Sequence, residues 1–205
     1  RESFVRRTNW EPNESQLACI QRVDALTHAP AKFPFLIRGA FGTGKTSTMC
    51  NIILQLLRTD PSKRTRVLLA TECNAAADLY VELLADALGP ADMLRFLQAH
   101  RKAWSVPSAV QPYCEALYDS ANQLFKAPTE GQLLCMRLVI CTFDNSAVLW
   151  GIGCKKSMFS HILLDEAANA LEPRALIPLQ LADASTTIVL AGDDRQISPQ
   201  VQSPS

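Results

Sequence analysis

The chain has 205 residues, a length that suits one large domain or a domain with a small appendage. Apolar residues make up 48% and charged residues 20%, near the soluble average, which excludes disorder as a description of the whole. The balance of 20 Lys and Arg against 20 Asp and Glu excludes a protein that coats nucleic acid through bulk charge, though not a local basic strip. No apolar run approaches the roughly 20 residues of a membrane span. The first ten residues carry neither an initiator Met nor a leader-like stretch, so the sequence reads as a piece of a longer chain. Its 7 cysteines form no CxxC pair and its 3 histidines are scattered, which points to buried free thiols in a reducing compartment and to no metal cluster.

In chain order, Asn13-Glu14-Ser15-Gln16 opens a helix. Phe35–Arg38 is then the first of five continuous apolar runs, followed by Arg66–Thr71, Leu138–Thr142, His161–Asp165 and Thr187–Ala191. Runs without alternation are expected of strands covered on both faces. Helices separate them: Thr46–Arg58 carries Met49, Ile52, Ile53, Leu56 and Leu57 on one stripe, and Ala75–Leu88 ends at Gly89-Pro90. Between Gly89 and Gly131 the strand signal stops, and Asp92–Ala103 and Pro112–Phe125 read as helices that leave the sheet. The predicted class is α/β: a parallel sheet flanked by helices, with a short helical excursion over 89–131.

Gly39-Ala40-Phe41-Gly42-Thr43-Gly44-Lys45-Thr46 fits GxxxxGK[ST] at every fixed position. Glycines there admit positive φ and close backbone approach, so that successive N–H groups can ring a polyphosphate. The helix that follows points its positive end at the same anion. Lys45 would reach the β- and γ-phosphates, and Thr46 would ligate Mg²⁺. His161–Asp165 ends in the carboxylates Asp165 and Glu166. At the carboxyl end of a strand, Asp165 suits the Mg²⁺ shell and Glu166 the base that orients and deprotonates an attacking water. Thr187–Ala191 ends in Gly192-Asp193-Asp194-Arg195-Gln196-Ile197-Ser198-Pro199, where Gln196 can hydrogen-bond a γ-phosphate or its water without titrating.

Together these three segments resemble motifs I, II and III of superfamily 1 helicases. The form Asp165-Glu166-Ala167-Ala168 and the wording of the third motif are similar to the Upf-like branch. Gly39–Gly42, Asn74–Tyr80 and His161–Ala168 look most like the helicase-with-zinc-finger group, with Armitage-like RNA helicases next. The resemblance runs from about Asn13 to Pro204. It implies a RecA-like P-loop NTPase domain that binds ATP with Mg²⁺ and serves an ATP-dependent RNA helicase, unwinding 5′-to-3′. It implies nucleotide contacts from Gln16, Gly39, Ala40, Phe41, Gly42, Thr43, Gly44, Lys45 and Thr46, with Gln16 reading the adenine edge; an N-cap with an exposed Gln is the plainer alternative. Catalysis would fall to Lys45, Glu166 and Gln196, and Mg²⁺ binding to Thr46 and Asp165.

Thr71-Glu72-Cys73-Asn74 stands where the family carries motif Ia, which implies single-strand contacts from Thr71 and Asn74, joined by Thr142 at the next strand end. The family usually has Pro and Ser where this chain has Glu72 and Cys73, so a negative charge stands beside the expected phosphate path. The whole of residues 1–205 is expected to be the first RecA-like domain, with its partner, the second RecA-like domain, outside this chain. An arginine finger supplied from there is worth about 10³–10⁵ in rate, so the fragment alone should turn ATP over hardly at all. Single-stranded RNA is the expected ligand, with DNA open. The cytoplasm, with the nucleus second, is the expected compartment, without membrane attachment. The rival from another class is a nucleotide-dependent scaffold or transcriptional coactivator module of helicase ancestry. A small-molecule kinase would leave the third motif unexplained and lacks a lid segment.

Overall fold

In the computed structural model, which describes residues 11–27, 33–40, 42–193 and 195, the five apolar runs lie side by side. The elements are α1 (Glu14–Leu26), β1 (Phe35–Arg38), α2 (Lys45–Thr59), β2 (Val67–Thr71), α3 (Asn74–Leu84), β3 (Met93–Arg95), β4 (Tyr118–Asp119) and β5 (Leu124–Phe125). There follow α4 (Glu130–Cys135), β6 (Leu138–Thr142), α5 (Phe143–Gly151), β7 (His161–Asp165), α6 (Glu172–Ala175) and β8 (Thr187–Gly192). Six strands form one sheet in the order β1-β8-β7-β2-β6-β3, every neighbour parallel. None of the helices among the described residues is long and apolar enough to cross a membrane.

Burial on both faces explains the apolar runs of β2, β6 and β7, whereas β1, at the sheet edge, leaves Leu36 exposed. Along β2, Val67 and Leu69 join the core beneath α1, α2 and α3, whereas Leu68 and Ala70 face a second core that includes Phe143 and Leu149 of α5. Strand β6 divides the same way, Leu138 and Ile140 to the first core, Val139 and Cys141 to the second. Since successive side chains of a strand point to opposite faces, a strand with two covered faces favours apolar residues throughout, with polar ones at its ends where partners meet them. The α1 start is fixed by a reciprocal cap: Asn13 Oδ1 accepts from the Gln16 N–H at 3.0 Å, and Gln16 Oε1 accepts from the Asn13 N–H at 2.9 Å.

The segment 89–131 departs from expectation. No α-helix forms over Asp92–Ala103 or Pro112–Phe125. Instead Met93–Arg95 becomes the edge strand β3, paired with β6. Beyond it come 3₁₀ turns at Ala103–Ser105, Gln111–Tyr113 and Glu115–Leu117, and the antiparallel pair β4–β5. The strand was hidden because it is three residues long and ends in a charge. Arg95 is nonetheless fully buried, because Asp78 and two oxygen acceptors meet its guanidinium.

At the start of β7, His161 is buried, with Thr27 Oγ1 at 3.1 Å from Nε2 and Ser160 Oγ at 2.9 Å from Nδ1. Burial pulls its pKa from 6.5 down to about 4, so the ring stays neutral in the fold while an unfolded chain takes up a proton. Stability therefore falls as pH drops from 6.5 towards about 4, by at most about 3 kcal/mol from this group. Denaturant titrations across that window should show a shallower pH slope for His161→Gln than for the unchanged protein. Equal slopes would assign the loss to other groups.

Candidate nucleotide site

The site is assembled at the carboxyl ends of the three neighbours β1, β8 and β7, where open α/β sheets place ligands. Strand β1 runs into the loop Gly39–Gly44 and the loop into α2. Gly42 and Gly44 have φ of 78° and 83°, values in which a side chain would be strained. The loop is closed by Thr43, whose hydroxyl donates to the Ala40 carbonyl at 2.7 Å. The Lys45 ammonium lies over it, donating to the carbonyls of Gly39 at 2.7 Å and Ala40 at 3.2 Å. Gln16 reaches the same loop, its Nε2 donating to the Thr43 carbonyl at 2.9 Å. Between α1 and the loop is a cavity of about 520 Å³ lined by Gln16, Gly39, Thr43 and Lys45 among others. Phe41 lies outside the described residues.

Strand β7 delivers the acidic pair. Asp165 is buried, its Oδ2 accepting from the Tyr80 hydroxyl at 2.6 Å and its Oδ1 from the Glu166 N–H at 3.0 Å. Burial pushes its carboxyl above the usual carboxylate range, against the opposing pull of the Tyr80 hydroxyl, the Glu166 N–H and the Lys45 charge. Glu166 is half-buried and likewise raised, by burial and then by Asp165, with Lys45 again opposing. The charge of Lys45 thus acts on both carboxylates. Glu166 also has φ of 58°, a left-handed conformation that costs a non-glycine residue about 1–3 kcal/mol and clusters at functional sites. The turn is held by the Asn169 N–H on the Glu166 carbonyl at 3.0 Å, and by the Asn169 side-chain amide on Glu166 Oε2. Close by, a Cβ on Gly192 would lie 3.0 Å from both the Ala168 nitrogen and its Cβ, so glycine lets the end of β8 pass close to the turn after β7. Of the third motif, Gly192, Asp193 and Arg195 are described; Gln196, like Asp194 and residues 197–199, lies outside the described residues.

The three residues expected at the single-strand path stand at the ends of β2 and β6, next along the sheet from β7, but their side chains are engaged within the protein. The buried Thr71 hydroxyl donates to the Cys73 carbonyl at 2.9 Å. Asn74 Oδ1 accepts from Arg95 at 2.8 Å, and Thr142 Oγ1 caps α5 by accepting from the Asn145 N–H. The charge of Glu72 is not left open. Arg174 of α6 pairs with it and, at 2.7 and 3.0 Å, with both oxygens of Asp144 in the first turn of α5. Sequence reasoning missed Arg174, Tyr80 and Asn169. Arg174 alone carried a local signal, being a cation within the short segment that follows the acidic pair.

Thr46 and Asp165 make a hard-oxygen donor set, a hydroxyl and a carboxylate. Among the described residues no group of three or more His, Cys, Asp or Glu could hold a metal ion. That composition fits Mg²⁺, which binds through one or two carboxylates together with substrate phosphates rather than in an all-protein cage.

Comparison with known proteins agrees with this geometry. The AAA domain family matches residues 11–124 and 114–204. The human probable helicase with zinc finger domain is 39% identical over 178 residues, covering 83% of this chain and 9% of that protein. The human RNA helicase Mov10l1 is 35% identical over 194 residues, 93% of this chain and 15% of that protein. The chain thus spans about a tenth of the length of such relatives. Among solved structures, dbp5 of S. cerevisiae superimposes with a TM-score of 0.59 at 14% identity, covering 92% of this chain and 44% of that one. The UvsW helicase from bacteriophage T4 gives 0.55 at 12%, covering 89% and 53%. At those identities the likeness establishes the RecA-like fold alone. By its matched domain and its relatives, the chain belongs to the AAA-domain family, within the Upf-like branch of superfamily 1 helicases.

Proposed function

We propose that this chain is the ATP-binding domain of an ATP-dependent RNA helicase, which couples hydrolysis to 5′-to-3′ movement along single-stranded RNA. The observation that carries the reading is the convergence of the phosphate loop, Lys45 and the acidic pair at the carboxyl ends of β1 and β7, on either side of β8, with the lysine charge opposing the raised proton affinity of both carboxylates. The amides of 42–46 would surround the phosphates. Lys45 would exchange the carbonyls of Gly39 and Ala40 for phosphate oxygens, and Thr46 and Asp165 would hold Mg²⁺. When bound, that ion neutralises charge on the β- and γ-phosphates. Glu166 would take the proton of the attacking water, and Gln196 would sense the γ-phosphate. Gln16, which already spans from the α1 cap to Thr43, would link the base to the loop. The 7 free cysteines fit a reducing compartment, the cytoplasm or the nucleus. A second RecA-like domain in the parent protein would supply the arginine finger.

Steady-state ATP hydrolysis by the full-length parent, with and without single-stranded RNA at one low salt concentration, tests this. Stimulation of about tenfold or more, with nucleotide binding lost in Lys45→Ala, is the expected result. Tight ATP binding by that variant would sink the phosphate-loop assignment. One observation favours the scaffold reading: the side chains of Thr71, Asn74 and Thr142 already serve the protein's own structure. Near-zero hydrolysis despite bound nucleotide would select it.

A further inference from the structure

We propose that Tyr80 is a positioning residue of the metal–nucleotide site, its buried hydroxyl fixing the Asp165 carboxylate. The inference rests on the reading above, in which Asp165 and Thr46 hold Mg²⁺, and concerns what orients the carboxylate.

Tyr80 projects from α3 into the core under α2 and is fully buried. Its hydroxyl donates to Asp165 Oδ2 at 2.6 Å, which ties α3 to the residue at the end of β7. The other carboxylate oxygen, Oδ1, is held by the Glu166 N–H at 3.0 Å, so each oxygen of Asp165 has one fixed donor. An ionised carboxylate has about four lone-pair sites, which leaves capacity on both oxygens for a cation or its waters.

A tyrosine that merely filled this space would be matched by phenylalanine, which needs no acceptor inside a core. The hydroxyl earns its place only through what it touches, and the group it touches, the Asp165 carboxylate, belongs to the candidate metal shell. Groups that orient a metal ligand from behind typically affect metal affinity by about 10–100-fold when removed.

Tyr80→Phe in the full-length parent keeps the ring and removes the hydroxyl. The readout is binding of a fluorescent non-hydrolysable ATP analogue, titrated with Mg²⁺ and repeated in EDTA. The expected result is a rise of about tenfold or more in the Mg²⁺ concentration needed for tight binding, with EDTA binding within about twofold of the unchanged protein because the phosphate loop is untouched. In an Asp165→Asn background the same substitution should add little, since a residue acting through Asp165 has nothing left to orient. Equal weakening with and without Mg²⁺ would mark a packing role and overturn the inference. An unchanged Mg²⁺ response would overturn it too while leaving the nucleotide reading intact. No nucleotide binding, or no Mg²⁺ effect in the unchanged protein, would remove both.

Discussion

Glu166→Gln in the full-length parent should lower ATP turnover by about 10²–10⁴-fold, the usual contribution of a positioned general base, and leave nucleotide binding in place. The two side chains have the same shape, and a glutamine oxygen can still accept the Asn169 amide that now holds Glu166. What the substitution removes is the ability to take a proton. Glu166 is suited to that work because burial and the neighbouring Asp165 raise its proton affinity above that of a free carboxylate, while Lys45 keeps the pair from becoming too costly to ionise. Its left-handed backbone, φ of 58°, indicates that the surrounding turn imposes the position rather than the residue preferring it. Single-turnover hydrolysis alongside analogue binding separates the steps: the variant should retain ATP as ATP. Loss of binding would mean that the side chain holds the nucleotide rather than attacks it through water. An unchanged rate would place the base elsewhere.

The parts of this molecule that were legible in the sequence are those whose physics is local or periodic. Strands β2, β6 and β7 are legible as unbroken apolar runs because both of their faces are covered, and β1 and β8 by the same apolar run although the edge strand β1 leaves Leu36 exposed. The phosphate loop was legible because its glycines and lysine must stand at fixed spacing for one backbone turn to surround an anion. Strand β3 was illegible for the converse reason. Three residues cannot show a period, and Arg95 is apolar in its surroundings only by virtue of Asp78, 17 residues away. Tyr80 and Asn169 belong to the candidate site through contacts that no spacing rule encodes. Tyr80 lies 85 residues from Asp165 and sits in a helix where any large apolar residue would satisfy the pattern. The pairing of Glu72 is likewise invisible to local reading, because its counter-charge lies 102 residues on at Arg174.

Asp78→Ala should destabilise the domain by about 3–5 kcal/mol, the cost of stranding one member of a buried ion pair. For a domain of this size that corresponds to a fall in melting temperature of about 6–20 °C. Asp78 Oδ1 accepts from Arg95 Nε at 2.9 Å, and Oδ2 from Arg101 Nη2 at 2.6 Å. Arg95 has no exposure to water, and its remaining bonds go to the Phe96 carbonyl at 2.7 Å and to Asn74 Oδ1 at 2.8 Å, neither of which carries charge. Burial already pulls the guanidinium's pKa down, and Asp78 is the principal group opposing that. Without the carboxylate the cation must either stay unpaired or drag water into the space between α3 and β3. Pairing Asp78→Ala with Arg95→Met should recover much of the loss, since a buried ion pair replaced by apolar side chains of similar volume is often neutral. Chemical denaturation of the two single variants and the double reads this directly. Additive losses would show that the two side chains do not support each other. Because the same guanidinium holds Asn74 at the start of α3, the double variant separates two roles of this network. If it regains stability but not RNA stimulation of hydrolysis, the ion pair serves to aim Asn74 at the strand; if it regains both, the pair serves the fold alone.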